Sequence, residues 1–278
     1  MSKSRIIILT LIAMIAFAGN SLLCRLALKN TNIDAASFTF IRLISGAVML
    51  FIVIRLKDVQ YTGATNWWSA LGLFVYAAGF SFAYVRLPTA IGALLLFGAV
   101  QITMIGYGVW AGERLLGLRL VGVMLALGGH VGLLLPDLSS PPLNVSLLML
   151  VAGVAWGFYS LRGKRADDPT LVTAGNFLRA VPIAGVLCIF MWSSISLDDA
   201  GIWYAVSSGA LASGIGYAIW YAVLPALNVT NAALVQLCVP VIAAIGGFIF
   251  LGEAISLHLA LSSVAILGGI ALVILNKQ

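Results

Sequence analysis

Charged residues are scarce in this sequence. Only 9% of its 278 residues are Asp, Glu, Lys or Arg, and 62% are hydrophobic. Soluble domains carry about 25% charged residues, and a surface in contact with water cannot be built from so few. The outer surface must therefore face lipid. The net charge of +6 comes from basic residues spread between apolar runs. No nucleic-acid-binding motif accompanies them, so we expect no nucleic-acid partner.

Paired cysteines and catalytic signatures are also lacking. The three cysteines, Cys24, Cys188 and Cys238, lie inside apolar segments without a CxxC motif. We therefore expect packing roles for them, with no metal and no cofactor. There is no HExxH motif, and Leu211 stands where a rhomboid-type protease needs the first glycine before Ser213-Gly214. These absences argue against an enzyme.

Long apolar runs make up most of the chain. About 20 apolar residues are needed to cross the hydrocarbon core, and a backbone in lipid must satisfy its own hydrogen bonds, so such runs form helices. We predict ten transmembrane helices, near residues 6–28, 35–55, 67–86, 90–110, 117–135, 144–163, 171–192, 201–221, 229–251 and 257–275. With a cytoplasmic N-terminus, ten loop Lys and Arg residues face the cytoplasm and three face outward. This imbalance predicts that both termini are cytoplasmic.

The two halves of the sequence resemble each other. Ala93-Leu94, Gly112-Glu113 and Gly128-Gly129 recur after 140 residues, and Phe40-Ile41-Arg42 and Tyr84 recur after 137 as Phe177-Leu178-Arg179 and Tyr221. We therefore divide the chain into residues 1–138 and 139–278, each a five-helix repeat. Because five is odd, the second repeat is inverted. The predicted fold class is an all-α integral membrane protein whose inverted repeats surround a central cavity, an arrangement common in secondary transporters.

Several of these motifs resemble those of a known family. Trp156-Gly157, the arginines Arg42 and Arg179, and the two Gly-Glu pairs are similar to motifs of the EamA-type drug/metabolite transporters, most of all the bacterial YddG-type exporters of aromatic amino acids. Phe17-Ala18 in place of Trp-Gly, and Val100 opposite Pro240, depart from exact symmetry. The resemblance implies export across the bacterial inner membrane and a cavity lined by the first, third, fourth, sixth, eighth and ninth helices.

Polar and aromatic side chains at membrane depth are the candidates for this cavity. Unpaired amides are unfavourable in hydrocarbon, so they should face the protein interior. Aromatic rings suit an apolar or aromatic solute, and amides suit its amino and carboxyl groups. Hydrogen bonding between helices is the alternative role. The predicted substrate-binding residues are Asn20, Tyr84, Gln101, Trp156, Tyr159, Tyr217, Tyr221 and Gln236.

Ionisable side chains are predicted to lie towards the two mouths of the cavity. All nine acidic residues fall near helix ends or in loops, so no carboxylate proton relay is expected. We predict ion pairs between the halves, Arg42 with Glu253 and Arg179 with Glu113, acting as gates or as structural links. The alternative is hydrogen bonding of each arginine to free carbonyls at helix ends.

These observations favour a secondary transporter of small neutral metabolites, such as aromatic or other amino acids, that works as a monomer in the lipid bilayer. Efflux of hydrophobic cationic drugs is the alternative within the same class. An intramembrane enzyme, a channel and a non-transporting membrane scaffold are the alternatives from other classes. No selectivity-filter motif or ring of charges supports a channel.

Overall fold

The structure is a computed structural model that describes residues 1–56, 66–112, 116–134, 142–163, 168–251 and 257–275. It is helical throughout these ranges and contains no strand within them. The α-helices are α1 Lys3–Asn30, α2 Ala35–Leu56, α3 Trp67–Tyr84, α4 Thr89–Trp110, α5 Leu118–Leu134, α6 Leu143–Gly163, α7 Pro169–Phe190, α8 Asp199–Ser207, α9 Gly216–Val223, α10 Val229–Gln236, α11 Cys238–Leu251 and α12 Leu257–Leu275.

The helices coincide with the ten predicted apolar runs to within a few residues. By length and composition, seven described spans can cross a membrane: Lys3–Asn30, Ala35–Leu56, Thr89–Trp110, Leu143–Gly163, Pro169–Phe190, Asp199–Ala226 and Val229–Phe250. Leu118–Gly129 and Val264–Val273 are shorter apolar helices. The prediction of a multi-pass helical membrane protein is confirmed, whereas the count of ten spanning helices stays a prediction.

Short polar side chains fix where several helices begin. The Asn66 side chain accepts a hydrogen bond from the Ser69 amide at 2.7 Å, and Asn228 accepts one from the Asn231 amide at 2.7 Å. Asp168 accepts from the first amides of α7, whose first residue is proline. Amides in the first turn have no partner within their own helix, so these side chains define the N-termini.

The second half contains two interrupted helices. Between α8 and α9 the chain continues as a π-helix over Ser208–Ile215, a form often found at functional sites. Helix α10 ends at Gln236, and α11 begins at Cys238. Pro240 has no amide hydrogen to donate to the Gln236 carbonyl, which accounts for this break. Val100 occupies the corresponding position of α4, which runs unbroken.

Most close helix packing joins the first half of the chain to the second. Helix α3 packs on α6, α4 on α6, α2 on α7 and the π-helix, α5 on α12, and α1 on α11. Glycines permit the closest approaches: a Cβ at Gly153 of α6 would collide with the Leu96 carbonyl of α4. Residues 1–138 and 139–278 therefore interlock rather than form separate compact units.

Apolar side chains cover the outer surface. On α6, Leu147, Val151, Val154 and Phe158 recur every three or four residues and are between 40% and 56% exposed. This spacing puts them on one face of the helix. A continuous apolar face of this kind is suited to lipid and not to water.

Candidate functional site

Arg42 of α2 lies at the centre of the described helices and is only 1% exposed. Its Nε donates a hydrogen bond to the Ser213 hydroxyl at 3.2 Å, and its Nη2 donates to the hydroxyls of Tyr76 at 3.0 Å and Tyr217 at 3.4 Å. The guanidinium carbon lies 5.2 Å from the centre of the Tyr76 ring and 5.0 Å from that of Phe80. Ring faces at this distance stabilise a cation.

The other terminal nitrogen of this guanidinium is unsatisfied. Nη1 is buried and has no hydrogen-bond partner among the described residues. Glu253, the predicted ion-pair partner of Arg42, lies outside the described residues, so the pairing stays a prediction. The prediction that Arg42 lies towards a mouth of the cavity is wrong. It is seven residues into α2, about 10 Å at 1.5 Å per residue, and its long side chain extends among the central rings.

Trp156 of α6 is the hub of a cluster of aromatic rings. Its ring centre lies 5.5 Å from Phe17, 5.0 Å from Tyr76 and 4.7 Å from Tyr217. The contact with Phe17 is edge-to-face, with an interplanar angle of 87°, which is a favoured geometry for aromatic pairs. The cluster joins α1 and α3 of the first half to α6 and α9 of the second.

Buried amides hold this aromatic cluster in place. The Trp156 indole donates to Gln236 Oε1 at 2.9 Å. Asn20 Nδ2 donates to the Tyr76 hydroxyl at 3.3 Å, while Asn20 Oδ1 accepts from the Ser208 hydroxyl at 2.6 Å. Since each amide is buried and bonded across helices, it fixes the orientation of its aromatic or hydroxyl partner.

Gln101 repairs the break between α10 and α11. The Leu237 amide bonds to the Leu234 carbonyl, which leaves the Ala233 carbonyl without its usual helical partner. Gln101 Nε2 of α4 donates to that carbonyl at 2.6 Å. Gln101 Oε1 is buried and has no hydrogen-bond partner in the part of the chain that the structure describes.

The predicted tyrosines extend the aromatic cluster towards both ends of the fold. Tyr84 packs on Phe80 at 4.7 Å between ring centres, at the C-terminal end of α3. Tyr159 stacks on Trp156 at 5.8 Å and contacts Tyr221 at 5.9 Å. Rings from Tyr84 to Tyr221 thus form one continuous column, linked through Phe80, Tyr76, Trp156 and Tyr159.

The structure therefore brings the predicted residues into one region, in three groups. Asn20, Trp156, Tyr159, Tyr217 and Gln236 belong to the central cluster, Gln101 joins it through α10, and Tyr84 and Tyr221 end the column. Sequence reasoning missed Tyr76, Phe80 and Ser213. Tyr76 and Ser213 are separated by the same 137-residue offset as Arg42 and Arg179, and so are Phe80 and Tyr217. Applying that offset along α3 would have identified them.

Arg179 occupies a different environment from its repeat-related partner. It is half-buried, its Nη1 donates to the Gly175 carbonyl of its own helix at 3.4 Å, and its guanidinium lies 5.9 Å from the Trp67 ring. Glu113, its predicted partner, lies outside the described residues. Of the two arginines, only Arg42 lies among the central rings.

Little open space remains at the centre. A cavity between Phe17, Asn20, Tyr76 and Trp156 has about 10 Å³ available to the centre of a water molecule, which is room for about one water. Tyr159 also borders a wider groove of about 390 Å³ between the first half of α3 and the second half of α6. The central cluster is therefore closed in this conformation.

Fold and site together define the class of protein. It is a multi-pass helical membrane protein whose buried centre is polar and aromatic, an arrangement suited to a small solute. A model described as the EamA-like transporter family matches residues 143–275.

Similar proteins extend this match. A Pseudomonas aeruginosa protein described as uncharacterized is 54% identical over 275 residues, 99% of this chain and 96% of that protein. An uncharacterized transporter of Archaeoglobus fulgidus is 22% identical over 97% of both chains. The threonine/homoserine exporter RhtA of Salmonella typhimurium is 33% identical over 129 residues, 43% of this chain and 41% of the exporter. The chain belongs to the EamA-like transporter family, and this membership points to a transporter rather than an enzyme.

A solved structure supports the fold. A crystal structure at 20% sequence identity, covering 99% of this chain and 98% of its own, superposes with a TM-score of 0.81.

Proposed function

We propose that this protein is a secondary transporter that exports small amino-acid-like solutes across the bacterial inner membrane. It works by alternating access of two inverted five-helix halves. The observation that carries the proposal is the central cluster, in which side chains from both halves meet around Arg42 and Trp156. A solute bound between two halves is released to either side when one half tilts against the other.

Repeat-related residues meet at this centre. Arg42 contacts Tyr76 and Ser213, which are equivalent by the 137-residue offset, and also Phe80 and Tyr217, which are equivalent by the same offset. Phe17 and Trp156, which occupy matching positions 139 residues apart, lie edge to face. Equivalent positions meet in this way where a pseudo-two-fold axis passes between two repeats, which supports the inverted arrangement.

Loop contacts support the proposed topology. The Asp34 amide donates to the Ser196 carbonyl at 3.0 Å, and the Ser196 amide donates to Asp34 Oδ2 at 2.9 Å. The loops before α2 and α8 therefore lie on the same side. An even number of crossings between them satisfies this contact, and six follow from the predicted topology. With cytoplasmic termini, both loops face outward.

The chemistry of the centre supports an amino-acid-like solute. Its rings suit an apolar or aromatic side chain. Gln101 Oε1 and Asn176 Oδ1 are buried acceptors with no partner within the described ranges, and each can accept a hydrogen bond from an ammonium group. The name of the exporter RhtA, which matches part of this chain, states threonine and homoserine as its substrates.

Efflux of hydrophobic cationic drugs is the second candidate, because rings attract cations. The buried positive charge of Arg42 opposes it, since two cations repel strongly at low dielectric. An amino acid carries a compensating carboxylate, and a simple cation does not. The centre therefore favours the amino acid.

Counterflow tests the proposal. Purified protein is reconstituted into liposomes loaded with unlabelled L-phenylalanine or L-threonine, and uptake of the radiolabelled amino acid is measured at several pH values and membrane potentials. We expect uptake above that of protein-free liposomes. Uptake of a lipophilic cation but of neither amino acid would favour drug efflux, and flux of no solute would favour a membrane scaffold.

A further inference from the structure

We propose that Arg42 is the anchor of the solute and that it binds a carboxylate through its unpaired guanidinium nitrogen. The transported solute is then a carboxylate-bearing compound with a compact apolar or aromatic body. This inference rests on the proposed transport function and names its substrate class. It also assigns Arg42 a binding role in place of the predicted gate.

The geometry of the guanidinium leaves one side available. Nε and Nη2 are held by Ser213, Tyr76 and Tyr217, so the plane of the group is fixed. Nη1 carries two N–H donors and has no partner in the described parts of the chain. Carboxylates bind arginine through parallel N–H donors. The protein therefore holds the guanidinium in place while leaving donors for an external acceptor.

The charge of Arg42 requires compensation. A fully buried cation in a membrane protein is costly unless it is paired. The described groups in contact with the guanidinium are the hydroxyls of Ser213, Tyr76 and Tyr217 and the rings of Tyr76 and Phe80, all of them neutral. They stabilise the cation only in part. A bound carboxylate supplies the negative charge that these neighbours do not.

The surroundings of Arg42 define the rest of the solute. Tyr76 links the guanidinium to Asn20 through its hydroxyl and to Trp156 through its ring. A solute whose carboxylate lies on Arg42 would therefore place its body against Trp156 and Phe17. The central cavity of about 10 Å³ is too small for such a body, so binding must separate rings of the two halves. That separation is the movement which alternating access requires.

Matched pairs of ligands test the carboxylate anchor. Binding to the purified full-length protein is measured for L-phenylalanine against L-phenylalaninamide, and for L-threonine against L-threoninamide. The amides keep the ammonium and the side chain but lack the negative charge. 3-Phenylpropionate, which keeps the carboxylate but lacks the ammonium, is measured alongside. We expect at least one carboxylate to bind about tenfold or more tightly than its amide. Equal affinity for acid and amide, or no binding of any carboxylate, would overturn the proposal.

Two variants assign the preference to Arg42. Arg42→Gln removes the charge and should abolish the difference between acid and amide. Arg42→Lys keeps the charge but lacks the planar fork, so a reduced preference is expected. Arg179→Gln, the matched control, removes a charge from the repeat-related position and should retain the full preference. If Arg42→Gln does not fold, the wild-type ligand pairs and Arg42→Lys decide the matter. A full acid preference in a folded Arg42→Gln variant would contradict the proposal.

The anchor and the transport function fail in different ways. Amino-acid counterflow that does not distinguish the acid from the amide would refute the anchor and leave the transporter. Carboxylate binding that depends on Arg42, without flux in liposomes, would refute transport and leave the binding site.

Discussion

Phe17 of α1 and Trp156 of α6 lie edge to face with 5.5 Å between their ring centres. They occupy equivalent positions in the two halves of the sequence, 139 residues apart. Their contact means that the halves meet at matching residues, so a tilt of one half against the other must break or reshape it. The aromatic cluster around Trp156 is therefore expected to control both binding and conformational change.

Replacement of Trp156 tests this role. Trp156→Ala removes the hub ring and the donor to Gln236, and we expect amino-acid counterflow to be lost. Trp156→Phe keeps a ring and should retain part of the flux. Phe158→Ala, on the same helix but 56% exposed, is the matched control and should transport like the wild type. Loss of flux in the control alone would contradict the assignment.

Restoring the amide at position 240 should close the break between α10 and α11. Pro240→Ala allows a hydrogen bond to the Gln236 carbonyl, so we expect a higher midpoint of thermal unfolding and slower transport. Pro182→Ala, inside the unbroken α7, controls for proline removal. The two measurements are thermal unfolding in detergent and counterflow in liposomes. Faster transport in Pro240→Ala would show that the break is not needed for movement.

The packing of α4 on α6 depends on Gly153. A Cβ at this position would meet the Leu96 carbonyl and lie 2.7 Å from Ala99 Cβ, so Gly153→Ala should destabilise the protein by about 1–3 kcal/mol. Gly106→Ala in α4 is the control, because a Cβ there has nothing within 4 Å. The reading is the midpoint of thermal unfolding. An unchanged midpoint in Gly153→Ala would mean that α4 and α6 do not pack as described.

Topology is tested with single cysteines in a variant that lacks Cys24, Cys188 and Cys238. Asn32→Cys and Ser196→Cys lie in the two loops joined through Asp34. A membrane-impermeant thiol reagent should label both in intact cells. Asn66→Cys, at the exposed start of α3, should be labelled only after the cells are opened. Labelling of Asn32→Cys and Ser196→Cys from opposite sides would refute the arrangement.

Periodic features were predicted well from the sequence, and contacts at the centre were not. Pro240 opposite Val100 marked a departure from symmetry, and the structure has a helix break at that place because proline lacks an amide hydrogen. Gln101 and Gln236 were identified as buried polar groups from membrane depth alone. That Gln101 bonds the Ala233 carbonyl could not be predicted, since it depends on which carbonyl the break leaves unpaired.

Composition and order along the chain determined the helical membrane class, the approximate helix bounds and the pairing of the two halves. These follow from hydrophobicity and repetition, which are local or linear properties. The environment of each arginine was decided by the tertiary structure. Arg42 and Arg179 sit in matching sequence contexts, yet one is buried among rings from both halves and the other lies half-buried near Trp67. Two inverted repeats in one closed conformation cannot be related by exact symmetry, so equivalent residues acquire different neighbours.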